Sequence, residues 1–117
     1  MSRNAEFLGG LRYETYQAES SRQMHHVVRA YAPGHEQPVG RMYWSQTSGN
    51  IDLIGVDKEF RRQGLATEML HRGRQFAAER GLVGPQHDPE RTEEGQAWAQ
   101  SLGERLPAWK NLGPSND

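Results

Sequence analysis

The stretch IDLIGVDKEFRRQGLATEMLHRGRQFAAERG, residues 51–81, decides how this chain is read. Its first six residues are mostly apolar and β-prone. Ile51, Leu53, Ile54 and Val56 leave little polar alternation, which predicts a central strand buried on both faces. A short basic segment with Gly64 follows, and then a run with helical spacing. Ala66, Met69, Leu70, Gly73, Phe76 and Ala77 form one face; Thr67, Glu68, His71, Arg72, Arg74 and Gln75 form the other. The helix is expected to start near Gln63 or Gly64, and Gly81 suits the left-handed residue just past its end. A strand, a glycine turn and a helix together make an anion site. The N–H groups of the first helical turn have no intrahelical partner, and the positive end of the helix dipole lies at the same place. Gly64 has no side chain to block a ligand and tolerates positive φ, Ala66 keeps the next turn slim, and Arg61 and Arg62 bring positive charge.

Upstream, the chain alternates. Leu11, Tyr13 and Thr15 share one face with Arg12 and Glu14 on the other, which predicts a half-buried strand that Tyr16 either ends or extends under cover. Residues 25–32 and 39–45 read as two more strands, separated by a polar connection from Pro33-Gly34 to Pro38. Ser48-Gly49-Asn50 is a turn composition before residue 51. Short connections between successive strands imply an antiparallel meander. Downstream, Leu82 and Val83 suggest a short strand cut off by Gly84-Pro85. A second helix is expected with Asp88, followed by Pro89, or preferably Thr92 as N-cap; Thr92 gives a buried face of Gly95, Trp98, Ala99 and Leu102 and an end at Gly103. Residues 1–10 read as a loose lead-in, and the polar tail 108–117 is expected to fray after Trp109.

The length of 117 residues suits one domain. Hydrophobic residues are 34% of the chain, which supports a folded but modest core, so a homodimer is one way to gain buried area. The net charge of -1 gives no global field for nucleic acid or membrane. With no cysteine, disulfides, thiolate catalysis and thiolate zinc sites are excluded. No apolar run approaches a membrane span, and the first ten residues lack a signal peptide's apolar core, so a cytoplasmic protein is expected. No metal site is expected, because His25 and His26 point to opposite faces of a strand and the other histidines are scattered.

The turn at 61–66 resembles motif A of the GNAT N-acetyltransferase superfamily, in which Arg or Gln, two residues, Gly, one residue, then Gly or Ala follow one another. Arg61, Gly64 and Ala66 fill the defining positions, and Val56, Glu59 and Phe60 match the usual lead-in. The resemblance runs in element order over residues 11–103 and is specific over 51–81. It implies a GNAT-like α+β fold: an antiparallel meander running into a β–α unit, with two main helices packed on the sheet. The whole chain, 1–117, is then one domain with its core at about residues 11–104. It also implies acetyl-CoA as cofactor. Gly64, Leu65 and Ala66 would give backbone N–H groups to the pyrophosphate, Arg61, Arg62 and Gln63 would complete the turn, and Ile54, Gly55 and Val56 would hold the pantetheine arm.

The implied activity is N-acyl transfer to an amine, either a small molecule or a protein. Residues 91–103 resemble the family's next helix, where a Tyr that protonates the departing thiolate is common; here Ala99 takes its place. The strand carboxylate that serves some members as a base would fall near Asn50. Asp52, Glu59 and Tyr43 are the remaining candidates for catalysis or for lining the acceptor pocket. The chain has no room for the two early helices that help build the family's acceptor site. Two other readings follow from these departures. One is a non-catalytic acyl-CoA-binding or protein-interaction module on the same scaffold. The other is nucleic-acid binding through the basic helix, against which the acidic second helix and the near-neutral charge both count.

Overall fold

The computed structural model describes residues 11–19, 24–61 and 63–114. The expected lead-in 1–10, part of the first connection, Arg62 and the last three residues lie outside the described residues. Strands β1 (Arg12–Glu19), β2 (Met24–Tyr31), β3 (Gly40–Ser45) and β4 (Ile51–Val56) form one antiparallel sheet in sequence order. Helix α1 (Leu65–Arg80) lies across one face of it. Helix α2 (Glu93–Ser101) follows a short strand β5 (Glu90–Arg91), which pairs in parallel with β6 (Lys110–Asn111).

The sequence periodicity explains which face is covered. Val28, Ala30, Met42 and Trp44 point toward α1, and Leu65, Met69, Leu70 and Phe76 meet them to form the core. The Val, Leu, Met and Phe side chains among them each contribute roughly 1.5–3 kcal/mol on burial. Gly73 lets the helix approach closely, because a Cβ there would sit 2.9 Å from Met42 Cε and 3.1 Å from the Trp44 ring. Trp44 is held in turn by its Nε1, which donates to Val83 O at 2.9 Å. Leu65 rather than Ala66 is the buried residue of the first turn, since α1 begins after Gly64 and the face shifts accordingly. Gly64 and Gly81 are both left-handed, at φ 81° and 66°. Tyr16 does not end β1; it lies on the opposite face, where the Arg29 guanidinium covers its ring at 5.5 Å.

Three expectations need correction. First, β4 is not a central strand buried on both faces. It ends the meander, and Asp52 and Leu53 are exposed. Its register slips between Tyr43 and Trp44, with Tyr43 opposite Leu53 and Trp44 opposite Ile51. This β-bulge places Ile51 and Ile54, three residues apart, against the same core, so an apolar run covers one face rather than two. Second, Leu82 and Val83 form no strand. The returning chain touches β4 in a single parallel bridge, Asn50 to Gln86, beyond Pro85. Third, the tail does not fray after Trp109. Lys110 and Asn111 pair with Glu90 and Arg91, Trp109 Nε1 donates to Arg91 O at 2.9 Å, and Glu93 N donates to Gly113 O at 2.9 Å.

Candidate functional site

The parallel bridge is the origin of the site. Ile51 N donates to Gln86 O and Gln86 N donates to Gly49 O, both at 2.9 Å. The chain then leaves β4, and among the described residues nothing pairs with the rest of that edge. The parting of the two segments opens a cleft of about 780 Å³. Its walls are Ile54, Gly55 and Val56 on β4, Arg61 and residues 64–67 at the start of α1, and Thr92, Gly95 and Trp98 on the α2 side.

The two helix starts differ. At α2, Thr92 Oγ1 accepts from Gly95 N at 3.1 Å, so that end is capped from within the chain. At α1, the cap is Gly64, and among the described residues no side chain takes the N–H groups of the first turn. A Cβ on Gly64 would meet nothing within 4 Å, so the space in front of it is open. Arg61 forms the adjoining wall and is anchored by its Nε, which donates to Val56 O at 2.9 Å. An anion with several oxygens fits this cradle: N–H groups without an intrahelical partner, a helix dipole and a guanidinium converge on a space that no side chain of the described residues fills. Glu94 is the acidic side chain in the wall, across the cleft on α2.

A smaller hollow of about 230 Å³ adjoins the cleft and shares Ile54, Thr92, Gly95 and Trp98 with it. It lies farther back along β4, between the bulge at Asp52 and the 87–91 segment. Arg91 ties this segment together. Its buried guanidinium donates to Gln96 Oε1 at 2.7 Å, Asp88 O at 2.6 Å and Pro107 O at 3.0 Å. Trp98 Nε1 donates to Thr67 Oγ1 at 3.1 Å, linking α2 to α1, and His87 stands edge-on to the Trp98 ring at 5.3 Å. Burial holds the His87 imidazole below the ordinary value, against the opposing pull of Glu104, whose Oε1 lies 3.6 Å from Nε2. Glu104 is itself held below the ordinary carboxylate value, chiefly by the hydrogen-bonded Arg74 guanidinium at 2.7 and 2.8 Å.

Of the residues expected to hold a cofactor, Ile54, Gly55, Val56, Arg61, Gly64, Leu65 and Ala66 all line the larger cleft. Gln63 does not; its Nε2 donates to Glu59 O at 3.2 Å. Arg62 lies outside the described residues. The candidates for catalysis are dispersed. Glu59 is exposed in a single 3-10 turn, Lys58–Phe60, and lines neither hollow. Tyr43 lies on the sheet face away from α1, with its hydroxyl accepting from Arg29 Nη2 at 3.3 Å. Asp52 lines the smaller hollow and meets His25 Nε2 at 2.9 Å. Trp98, expected in the core, is a half-buried wall of both spaces. Thr67 was also missed as a wall, because its place on the polar helix face gave no sign that α2 would fold over it.

The acetyltransferase (GNAT) family profile matches residues 4–87, well over half of the 117. The chain belongs to the GNAT acetyltransferase family. A similar solved structure is that of a protein assigned as a streptothricin acetyltransferase from Bacillus anthracis str. Ames, in complex with acetyl coenzyme A. It is 15% identical, with a TM-score of 0.50 over 80% of this chain and 67% of that one, and the likeness establishes the shared fold. Comparison with curated proteins gives no match. Among the described residues, no helix is long and apolar enough to cross a membrane, and no three metal-binding side chains cluster.

Proposed function

We propose that this GNAT-family protein is an acetyl-CoA-dependent N-acyltransferase acting on an amine. The observation that carries the reading is the uncapped start of α1, open at Gly64 and facing a cleft along the free edge of β4. Acetyl-CoA, when bound, supplies an activated acyl thioester. The N–H groups of Gly64, Leu65 and Ala66 would hold its pyrophosphate, with Arg61 adding charge at the wall. The edge of β4 at Ile54, Gly55 and Val56 offers main-chain groups to the amide-bearing arm, as a strand edge does for an extended peptide. This direction leads from Gly64 toward Ile54, the β4 residue that also lines the smaller hollow. The chain's remaining work is to orient a neutral amine beside the acyl group and to keep water away. The cysteine-free composition fits the reducing cytoplasm as the place of action. Thiol release from acetyl-CoA over a panel of primary amines is the test; the reading predicts turnover with at least one of them above the hydrolytic background.

One observation favours a second reading, an acyl-CoA-binding protein without turnover. Ala99 is fully buried and carries no group able to protonate a leaving thiolate. Tight acetyl-CoA binding with no thiol release across the panel would select it.

A further inference from the structure

A thioester arm laid along β4 from Gly64 to Ile54 does not end at a wall. Beyond Ile54 the strand continues into Leu53 and Asp52, and the smaller hollow of about 230 Å³ opens beside them. Its polar side chains are engaged within the chain. Asp52 Oδ2 lies 2.9 Å from His25 Nε2, Asp88 Oδ1 accepts from Glu90 N at 2.8 Å, and Glu90 Oε2 lies 3.5 Å from Lys110 Nζ. The Arg91 guanidinium is spent on two carbonyls and the Gln96 amide oxygen, and Thr92 Oγ1 caps α2. His87 Nε2 lies 3.6 Å from an oxygen of Glu104, which does not line the hollow.

The apolar side chains of the rim are not engaged in this way. Leu53 is 42% exposed and Leu112 57%, and both line the hollow. They come from distant parts of the chain. Leu53 is set there by the register slip in β4, and Leu112 by its N, which donates to Arg91 O at 3.0 Å. Ile54 and the half-buried Trp98 line both the hollow and the larger cleft, so an apolar path joins the two spaces. Exposed apolar side chains gathered from separate elements around one hollow mark a place for an apolar ligand. A dry cavity of about 150 Å³ holds the six carbons of benzene, so this hollow exceeds what an acetyl group fills.

We propose that the smaller hollow is an acyl-chain subsite, which takes the tail of a linear acyl-CoA of about four to six acyl carbons between Leu53, Trp98 and Leu112. The direction of the chain rests on the cofactor reading of the larger cleft. The preference for an apolar tail rests on the hollow's own residues.

Acetyl-, butanoyl- and hexanoyl-CoA share every group except the acyl tail, and each is titrated calorimetrically into the full chain. A fully buried methylene tightens binding about fourfold, and the rim leaves about half of that at this site. Hexanoyl-CoA should therefore bind about ten- to twentyfold tighter than acetyl-CoA, with butanoyl-CoA between them. Leu53 and Leu112 are exposed, so the double variant Leu53→Asn/Leu112→Asn should fold as the parent does. It should bring hexanoyl-CoA within about twofold of acetyl-CoA. Equal affinity for the three, tighter binding of acetyl-CoA, or a preference that survives in the double variant would each overturn the proposal and leave the cofactor reading standing. No binding of any of the three would remove both. A second copy of the chain seated on Leu53 and Leu112 would show in light scattering as a dimer that the double variant dissociates, and would also overturn the proposal.

Discussion

Replacing Gly64 separates two effects that meet at one residue. Its φ of 81° is left-handed, where an ordinary L-residue costs about 1–2 kcal/mol, and Asn less. A Cβ there meets nothing within 4 Å, so no packing term adds to the backbone cost. Gly64→Asn should therefore lower the melting temperature only slightly, and Gly64→Ala by about 3–6 °C, from roughly 1 kcal/mol in a domain of this size. Affinity for acetyl-CoA should follow a different order. A carboxylate about 5 Å from a phosphate charge costs roughly 0.8–3.3 kcal/mol between bulk-water and near-surface dielectrics. That is about a 4- to 250-fold rise in Kd for Gly64→Glu from charge alone, before any steric loss. The assay pairs calorimetric titration with thermal unfolding of the same samples. A folded Gly64→Glu protein that binds acetyl-CoA as the parent does would refute the placement of the phosphates.

Other perturbations test the fold around the cleft. Gly73→Val puts a branched side chain where a Cβ already crowds Met42 and the hydrogen-bonded Trp44, and should cost about 2 kcal/mol or more in denaturant unfolding despite the better helix propensity. Trp44→Phe leaves Val83 O without its donor and should cost about 1–3 kcal/mol, measured the same way. His26, 1% exposed against Trp44 and Phe76, and His87 both have folded pKa values below the ordinary 6.5 through burial. The unfolded chain therefore takes up more protons near that pH, so their stabilisation is present above about pH 6.5 and is lost as pH falls below it. Melting temperature should drop between pH 7.5 and 5.5, and drop less in His26→Leu; a flat profile would contradict neutral burial.

The meander and α1 were legible because short turn-forming connections separate β-prone runs and the helix carries one apolar face bounded by Gly64 and Gly81. The cofactor side of the site was legible for the same reason: a strand, a glycine turn and a helix start are contiguous in the chain, so local sequence sets their geometry. The bulge was not. An apolar run of Ile51, Leu53, Ile54 and Val56 reads as two buried faces, and only pairing with β3 shows that the slip gathers Ile51 and Ile54 on one face and exposes Leu53. The tail was misread because polar composition says nothing of backbone pairing. Lys110 N and Leu112 N donate to Pro89 O and Arg91 O, main-chain bonds that need no apolar pattern. The walls from Thr67, His87 and Trp98 depend on contacts across 31 residues or on the Asn50–Gln86 bridge, beyond any local pattern.

The claim that the open start of α1 holds a CoA pyrophosphate is tested most directly by calorimetric titration of the unmodified protein with acetyl-CoA. The account predicts saturable one-to-one binding. It also predicts a gain of about 2.7 kcal/mol in unfolding free energy when the ligand stands at a hundred times its Kd. No heat of binding and no thermal stabilisation at millimolar acetyl-CoA would contradict it.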